Sequence, residues 1–241
     1  MSRLKADKQP RAVRPARRFV RRVAHRSGTA AQVIGSLRPG DRVTGLTAGQ
    51  FSAIDAMEHM VDELGPAEVR ISTWTTGIYD ARRARAIRLS GRITDIRVLL
   101  DRNTFERSPQ YAGHLLEALG VDAFRCLSVH AKVTIVSGAR GAAVMRSSMN
   151  LNTNPRTEQF DIDVCDEIAD FYTEWFDALW LQSGITRNSG AIIRAVYDRF
   201  LAENPAEEPS PVEAPADPPA APNVSDVSMS AAEFERFLDD L

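Results

Sequence analysis

Apolar positions recur along the chain with two periods, and the places where one gives way to the other divide it into elements. Phe51, Ile54, Met57 and Val61 repeat at helical spacing. They predict a helix that Thr47 can cap and that ends after Leu64 at Gly65–Pro66. Short apolar runs of strand length follow: VRISTW (69–74), ITDIRVLLD (93–101), FRCL (124–127), VHAKVTIVS (129–137), AAVMRSS (142–148) and FDIDV (160–164). Between them, helices are expected from about Tyr79 to Leu89 and over SPQYAGHLLEALG, which Gly120 closes. DEIADFYTEWFDALWLQSG carries a broad stripe of Ile168, Phe171, Trp175 and Leu179, widened by Tyr172, Phe176 and Trp180. It predicts a long amphipathic helix, with a last helix near Ala191 to Ala202. Strands alternating with helices predict an α/β domain with a mixed sheet flanked by helices, over residues 31–203.

Outside that body the pattern fades and charge takes over. Residues 1–26 hold ten lysines and arginines against Asp7 alone, and residues 203–241 hold ten acids against Arg236 alone. A formal net charge of −2 over 241 residues conceals this basic head and acidic tail. Residues 1–30, with many like charges and few apolar side chains, read as a disordered basic arm. Residues 204–225 read as an extended linker rich in proline and acid. Residues 226–241 end in a short amphipathic peptide with Phe234, Phe237, Leu238 and Leu241 on one side. Such a peptide is too short to be a stable helix alone. Its face, over residues 230–241, suits either a groove on a protein partner or its own domain.

Composition narrows the class further. Hydrophobic content of 44% and charged content of 26% are those of a soluble globular protein. No apolar run approaches ~18 residues, so no membrane span is expected, and the N-terminus lacks the apolar stretch of a secretory signal. An Arg-rich start is shared with mitochondrial transit peptides, but a basic arm accounts for the same residues, and the default expectation is a cytoplasmic protein. Cys126 and Cys165 give no disulfide framework and no metal site, and read as small core hydrophobes.

The candidate chemistry lies in SVHAKVTIVSGARGAAVMRSSMNLNTNPRTEQFDI. If VHAKVTIV alternates as a strand, His130 and Lys132 point to one side and Val129, Ala131 and Val133 to the other. Burying an imidazole beside an ammonium is costly unless an anion neutralises them. Ser148 and Asn150 share a face if the next strand extends to them, and Glu158 arrives just before the strand after. Two neighbouring strands can thus deliver His, Lys, Ser and Asn to one patch with Glu158 at its rim. His25, His59 and His114 have no lysine two residues on and read as surface or core side chains.

This constellation resembles the phospholipase D superfamily, whose signature is His-x-Lys-x4-Asp followed by Gly/Ser-Ser-x-Asn. The matching residues are His130, Lys132, Ser148 and Asn150, with Glu158 in the place of the glutamate of its bacterial single-motif nucleases. The signature aspartate position is Ser137, a departure at a position that in the family lies away from the reacting phosphate. The resemblance implies a phospholipase D-like sandwich and a metal-independent phosphodiesterase with no cofactor. In that chemistry His130 attacks phosphorus and forms a phosphohistidine. A second histidine protonates the leaving oxygen. Lys132 and Asn150 hold the non-bridging oxygens, with Ser148 as a further donor. Glu158 accepts from the far nitrogen of an imidazole.

With one motif per chain, the second histidine has to come from a symmetric copy, which implies a homodimer. The basic arm favours a polyanion, so nucleic acid is the expected substrate, DNA ahead of RNA, and a phospholipid comes behind it. The alternative expectation is a catalytically weak member of the same fold that binds nucleic acid and recruits a protein through its C-terminal peptide.

Overall fold

The Pro39–Gly40 turn leads into a strand whose inward positions are Val43, Gly45 and Thr47, and a mixed sheet is assembled from there. The computed structural model describes residues 19–24, 29–47, 49–152, 155–185 and 187–205. Among the described residues the strands are β1 (Phe19–Ala24), β2 (Asp41–Thr47), β3 (Ala67–Thr73), β4 (Ile93–Asp101), β5 (Phe124–Leu127), β6 (Val133–Gly138), β7 (Gly141–Ser147) and β8 (Glu158–Val164). They form one sheet in the order β1-β2-β8-β7-β6-β3-β4-β5. Pairing is antiparallel from β2 through β8, β7 and β6 to β3. It is parallel from β3 through β4 to β5, and again between β1 and β2.

The sheet is apolar on both faces, as expected for central strands covered on two sides. Adjacent residues of β4 join different cores. Val98 packs with Met57 and Met60 of α2 (Ala53–Leu64) and Leu116 of α5 (Pro109–Leu119) in one cluster. Leu99 packs with Val133, Ile135 and Val144 beneath Ile168, Ala169 and Phe176 of α6 (Asp166–Ile185) in the other. The α6 stripe is fastened by charge as well. Asp177 accepts from Arg70 Nε at 3.1 Å and from an Arg97 guanidinium nitrogen at 3.3 Å, and the Arg125 guanidinium lies 4.3 Å from the Trp180 ring centre. The remaining helices are α1 (Ala30–Ile34), α3 (Ile78–Leu89), α4 (Arg102–Arg107) and α7 (Arg187–Glu203). No helix among the described residues is long and apolar enough to cross a membrane.

Close approaches among the described residues need glycine at Gly45, Gly113 and Gly138, where an added Cβ would lie 2.5 Å from the Leu64 carbonyl oxygen in the last case. A Cβ on Gly45 would lie 2.3 Å from Cζ of Phe160, whose ring crosses β2 from the neighbouring β8. One on Gly113 of α5 would lie 2.3 Å from the Phe200 ring of α7.

The α/β architecture and, α4 apart, the α-helices and strands between residues 67 and 185 follow the pattern of apolar positions in kind and order, and several expectations are corrected. Thr47 is not a helix cap: it ends β2, opposite Glu158. The helix begins at Ala53, where Ser52 N and Oγ both donate to Asp55 Oδ2, at 2.8 and 3.1 Å. β6 starts at Val133, so His130 and Lys132 lie in the loop before it rather than on the strand. β7 ends at Ser147, so Ser148 and Asn150 also lie in a loop. α1, β2 and α4 add to the expected elements, and residues 19–24, within the stretch read as a disordered arm, form β1. The rest of the arm up to residue 18, the linker from residue 206 and the terminal peptide lie outside the described residues.

Candidate functional site

The sheet has one end where β3, β4, β5 and β7 finish and where β6 and β8 begin, and all five candidate residues sit there. It is also where the parallel block meets the antiparallel one across the β3–β6 pair, and ligand sites of open α/β sheets form beyond such strand ends.

The loop over residues 128–132 carries His130 and Lys132 and is pinned at each step. Val129 is buried under α6, and its N–H donates to Asp101 Oδ2 at 2.8 Å. Asp101, only 3% exposed, also takes Asn103 N at 2.9 Å and Asn103 Nδ2 at 2.8 Å on its other oxygen. Ser72 Oγ donates to the Ala131 carbonyl at 2.8 Å, and Ser147 N donates to the Lys132 carbonyl at 3.1 Å. Three backbone groups of the loop, Val129 N, the Ala131 carbonyl and the Lys132 carbonyl, are thereby paired inside the protein on both sides of His130.

Within this frame His130 is exposed and Lys132 half-buried. Lys132 Nζ stands 3.1 Å from His130 Nε2 and 3.2 Å from Nδ1. The nearly equal distances place the ammonium against the ring rather than along the lone pair of one nitrogen. Burial lowers the pKa of Lys132 below the ordinary lysine value, and the Glu158 carboxylate offsets part of that shift. Ser148 Oγ donates to Glu158 Oε2 and accepts from Gln159 N at 3.0 Å, so Ser148 is tied to the start of β8. Lys132 contacts His130 and feels the charge of Glu158, and Glu158 is bonded to Ser148. Asn150 Oδ1 is buried without a hydrogen-bond partner.

A second loop closes the site. Leu151, next to Asn150, is bridged to Thr76: Gly77 N donates to its carbonyl at 2.6 Å and its own N–H donates to the Thr75 carbonyl at 3.2 Å. The same loop after β3 holds Trp74, whose ring centre is 5.7 Å from that of His130. Thr104 Oγ1 donates to the Trp74 carbonyl. Asp101, Ser72 and Trp74 are positioning or lining residues that apolar periodicity did not single out. The available signal was an acid and an indole at the ends of two apolar runs.

The remaining histidines and cysteines do other work. His59 is buried with Nε2 2.7 Å from the Gly35 carbonyl, and His114 packs edge-on against Phe200. His25 lies outside the described residues. Burial pushes the Cys126 thiol up to about 11, which disfavours a reactive thiolate. Ser137, at the signature aspartate position, is paired with Glu68 at the far end of β6 from Lys132. At ~3.3 Å per residue it stands roughly 16 Å away along the chain.

No family model matches the chain, and no curated protein matches it. Among solved structures it is similar to TrmBL2, described as an archaeal chromatin protein with a novel mode of DNA binding. The identity is 13% and the TM-score 0.38, over 58% of this chain and 53% of that one. The match spans about half the length of that protein.

Proposed function

We propose that the chain is a phospholipase D-like phosphodiesterase that cleaves nucleic acid through a covalent phosphohistidine at His130. The observation that carries the reading is the Lys132 ammonium, 3.1 Å from the His130 ring in a solvent-open loop at the functional end of the sheet. A phosphodiester carries negative charge where the imidazole must approach, and Lys132 supplies the opposite charge at that spot. Asn150, two residues from Ser148, adds an amide to the same patch. The ring nitrogen of His130 bonds to phosphorus as the bond to the leaving oxygen breaks, and His130 of a second copy gives that oxygen its proton. Water, losing a proton to the second imidazole, then attacks phosphorus and releases His130. Glu158, through Ser148 and its charge toward Lys132, holds the cation in place. The basic N-terminal residues add affinity for the phosphate backbone.

A second reading, a nucleic-acid-binding protein of this fold without turnover, is favoured by Ser137 in place of the signature aspartate. Incubating the full chain with plasmid and single-stranded DNA in EDTA, beside His130→Ala, separates the two. The enzyme reading expects cleavage that falls by about 10^2- to 10^4-fold or more in the variant. Binding with no cleavage by the unmodified protein would establish the second reading instead.

A further inference from the structure

Trp74 is 37% exposed, one of few large apolar side chains left open among the described residues, and it stands at the functional end of the sheet. Leaving an indole in water forgoes burial that the fold obtains for Phe124, Phe160 and Phe176. Its position is fixed rather than slack. Thr73 before it donates through Oγ1 to the Thr75 carbonyl at 2.9 Å, and the Trp74 carbonyl accepts from Thr104 Oγ1. Its ring lies 5.7 Å from the His130 ring and is tilted by 57° to it. A second exposed apolar residue, Ile78, opens α3 four residues later.

The geometry points to Trp74 as a stacking platform for an unpaired base next to the reacting phosphate, which makes single-stranded nucleic acid the preferred ligand. The inference rests on the nucleic-acid reading above and narrows it. A phosphate seated on His130 and Lys132 carries its base on the adjoining sugar, within one nucleotide's reach of the indole. In a duplex both faces of each internal base are already stacked on neighbours, so only an unpaired or splayed base can offer one to Trp74. Every base has a flat face, so the platform selects for strandedness without selecting for sequence.

The test measures binding of fluorescein-labelled oligo(dT) and of a blunt duplex of equal length, in EDTA at fixed salt. It uses the full chain carrying His130→Ala, which prevents cleavage during the measurement. Adding Trp74→Ala is expected to weaken single-strand binding about 5- to 100-fold and duplex binding no more than about 2-fold. Trp74→Phe should restore most of the loss, and Trp74→Leu, of comparable bulk without a π face, should not. Equal losses on both ligands, no loss on either, or full rescue by leucine would overturn the stacking role while leaving nucleic-acid binding standing. Failure of the unmodified protein to bind either ligand under the same conditions would overturn both readings together. Conversion of a dimer to a monomer by Trp74→Ala in sedimentation would assign the indole to a subunit contact and overturn the platform.

Discussion

Lys132 combines two properties at the scale of one side chain: in the proposed reaction its ammonium would neutralise the anion that His130 approaches, and its partial burial weakens its hold on the proton. The folded pKa lies below the unfolded value of 10.5, burial being the largest cause. In the window between the folded and unfolded values the unfolded chain holds a proton that the folded chain has released. The contribution of Lys132 to stability therefore rises with pH across that window. Ligand binding responds in the opposite sense, because the phosphate needs the charged form. Affinity for a short oligonucleotide is expected to fall on the alkaline side earlier than an ordinary lysine would cause. Lys132→Arg should remove that limb, since a guanidinium does not titrate there, and Lys132→Ala should give weak binding that is flat in pH. An alkaline limb that survives in both variants would show that another group sets it.

Elements convert local bonds into site geometry, and the clearest case is the tether from β4 to the histidine loop. Asp101 ends β4, caps α4 through Asn103 N and holds Val129 N, so one buried carboxylate fixes two elements and the loop. Asp101→Ala leaves those donors without an acceptor. It is expected to lower stability by about 2–3 kcal/mol in urea unfolding. Turnover should fall more than the stability loss explains, because His130 loses its anchor. Asp101→Asn, whose amide oxygen still accepts, should lose less of both.

The same tether explains why the residue types of this loop were legible in the sequence and its conformation was not. The alternation that the spelling VHAKV suggests is not kept: Val129 and Val133 are buried, but Ala131 is exposed and Lys132 half-buried, because Asp101 and Ser72 hold the segment as a loop. β4 and α6 were plain because long apolar stripes face the two cores. β2 was hidden because two of its three inward positions are Gly45 and Thr47, with Gly45 required small by the Phe160 ring. β1 was hidden because Arg21 and Arg22 lie at its centre.

For the whole molecule, one sheet end gathers residues that lie as far apart in sequence as Ser72 and Glu158, while the oppositely charged termini lie almost wholly outside the described residues. The motif, the lysine and the glutamate could be found in sequence because each is a residue type at a fixed spacing. The tie between the loops at Trp74 and Leu151 could not, because it depends on a bridge between positions 75 residues apart. Under the proposed function, a single copy of the motif would need two chains for two imidazoles, so the stoichiometry of the intermediate would report on the assembly.

The most direct test of the account is to quench the full-length protein during cleavage of a short oligonucleotide and measure its intact mass, followed by peptide mapping under alkaline conditions that preserve phosphoramidates. The account predicts a nucleotide-phosphate adduct on His130, at no more than about one per two chains because the second imidazole serves as the acid, and none in His130→Ala. Cleavage at full rate with no adduct, or with the adduct on another residue, would contradict it.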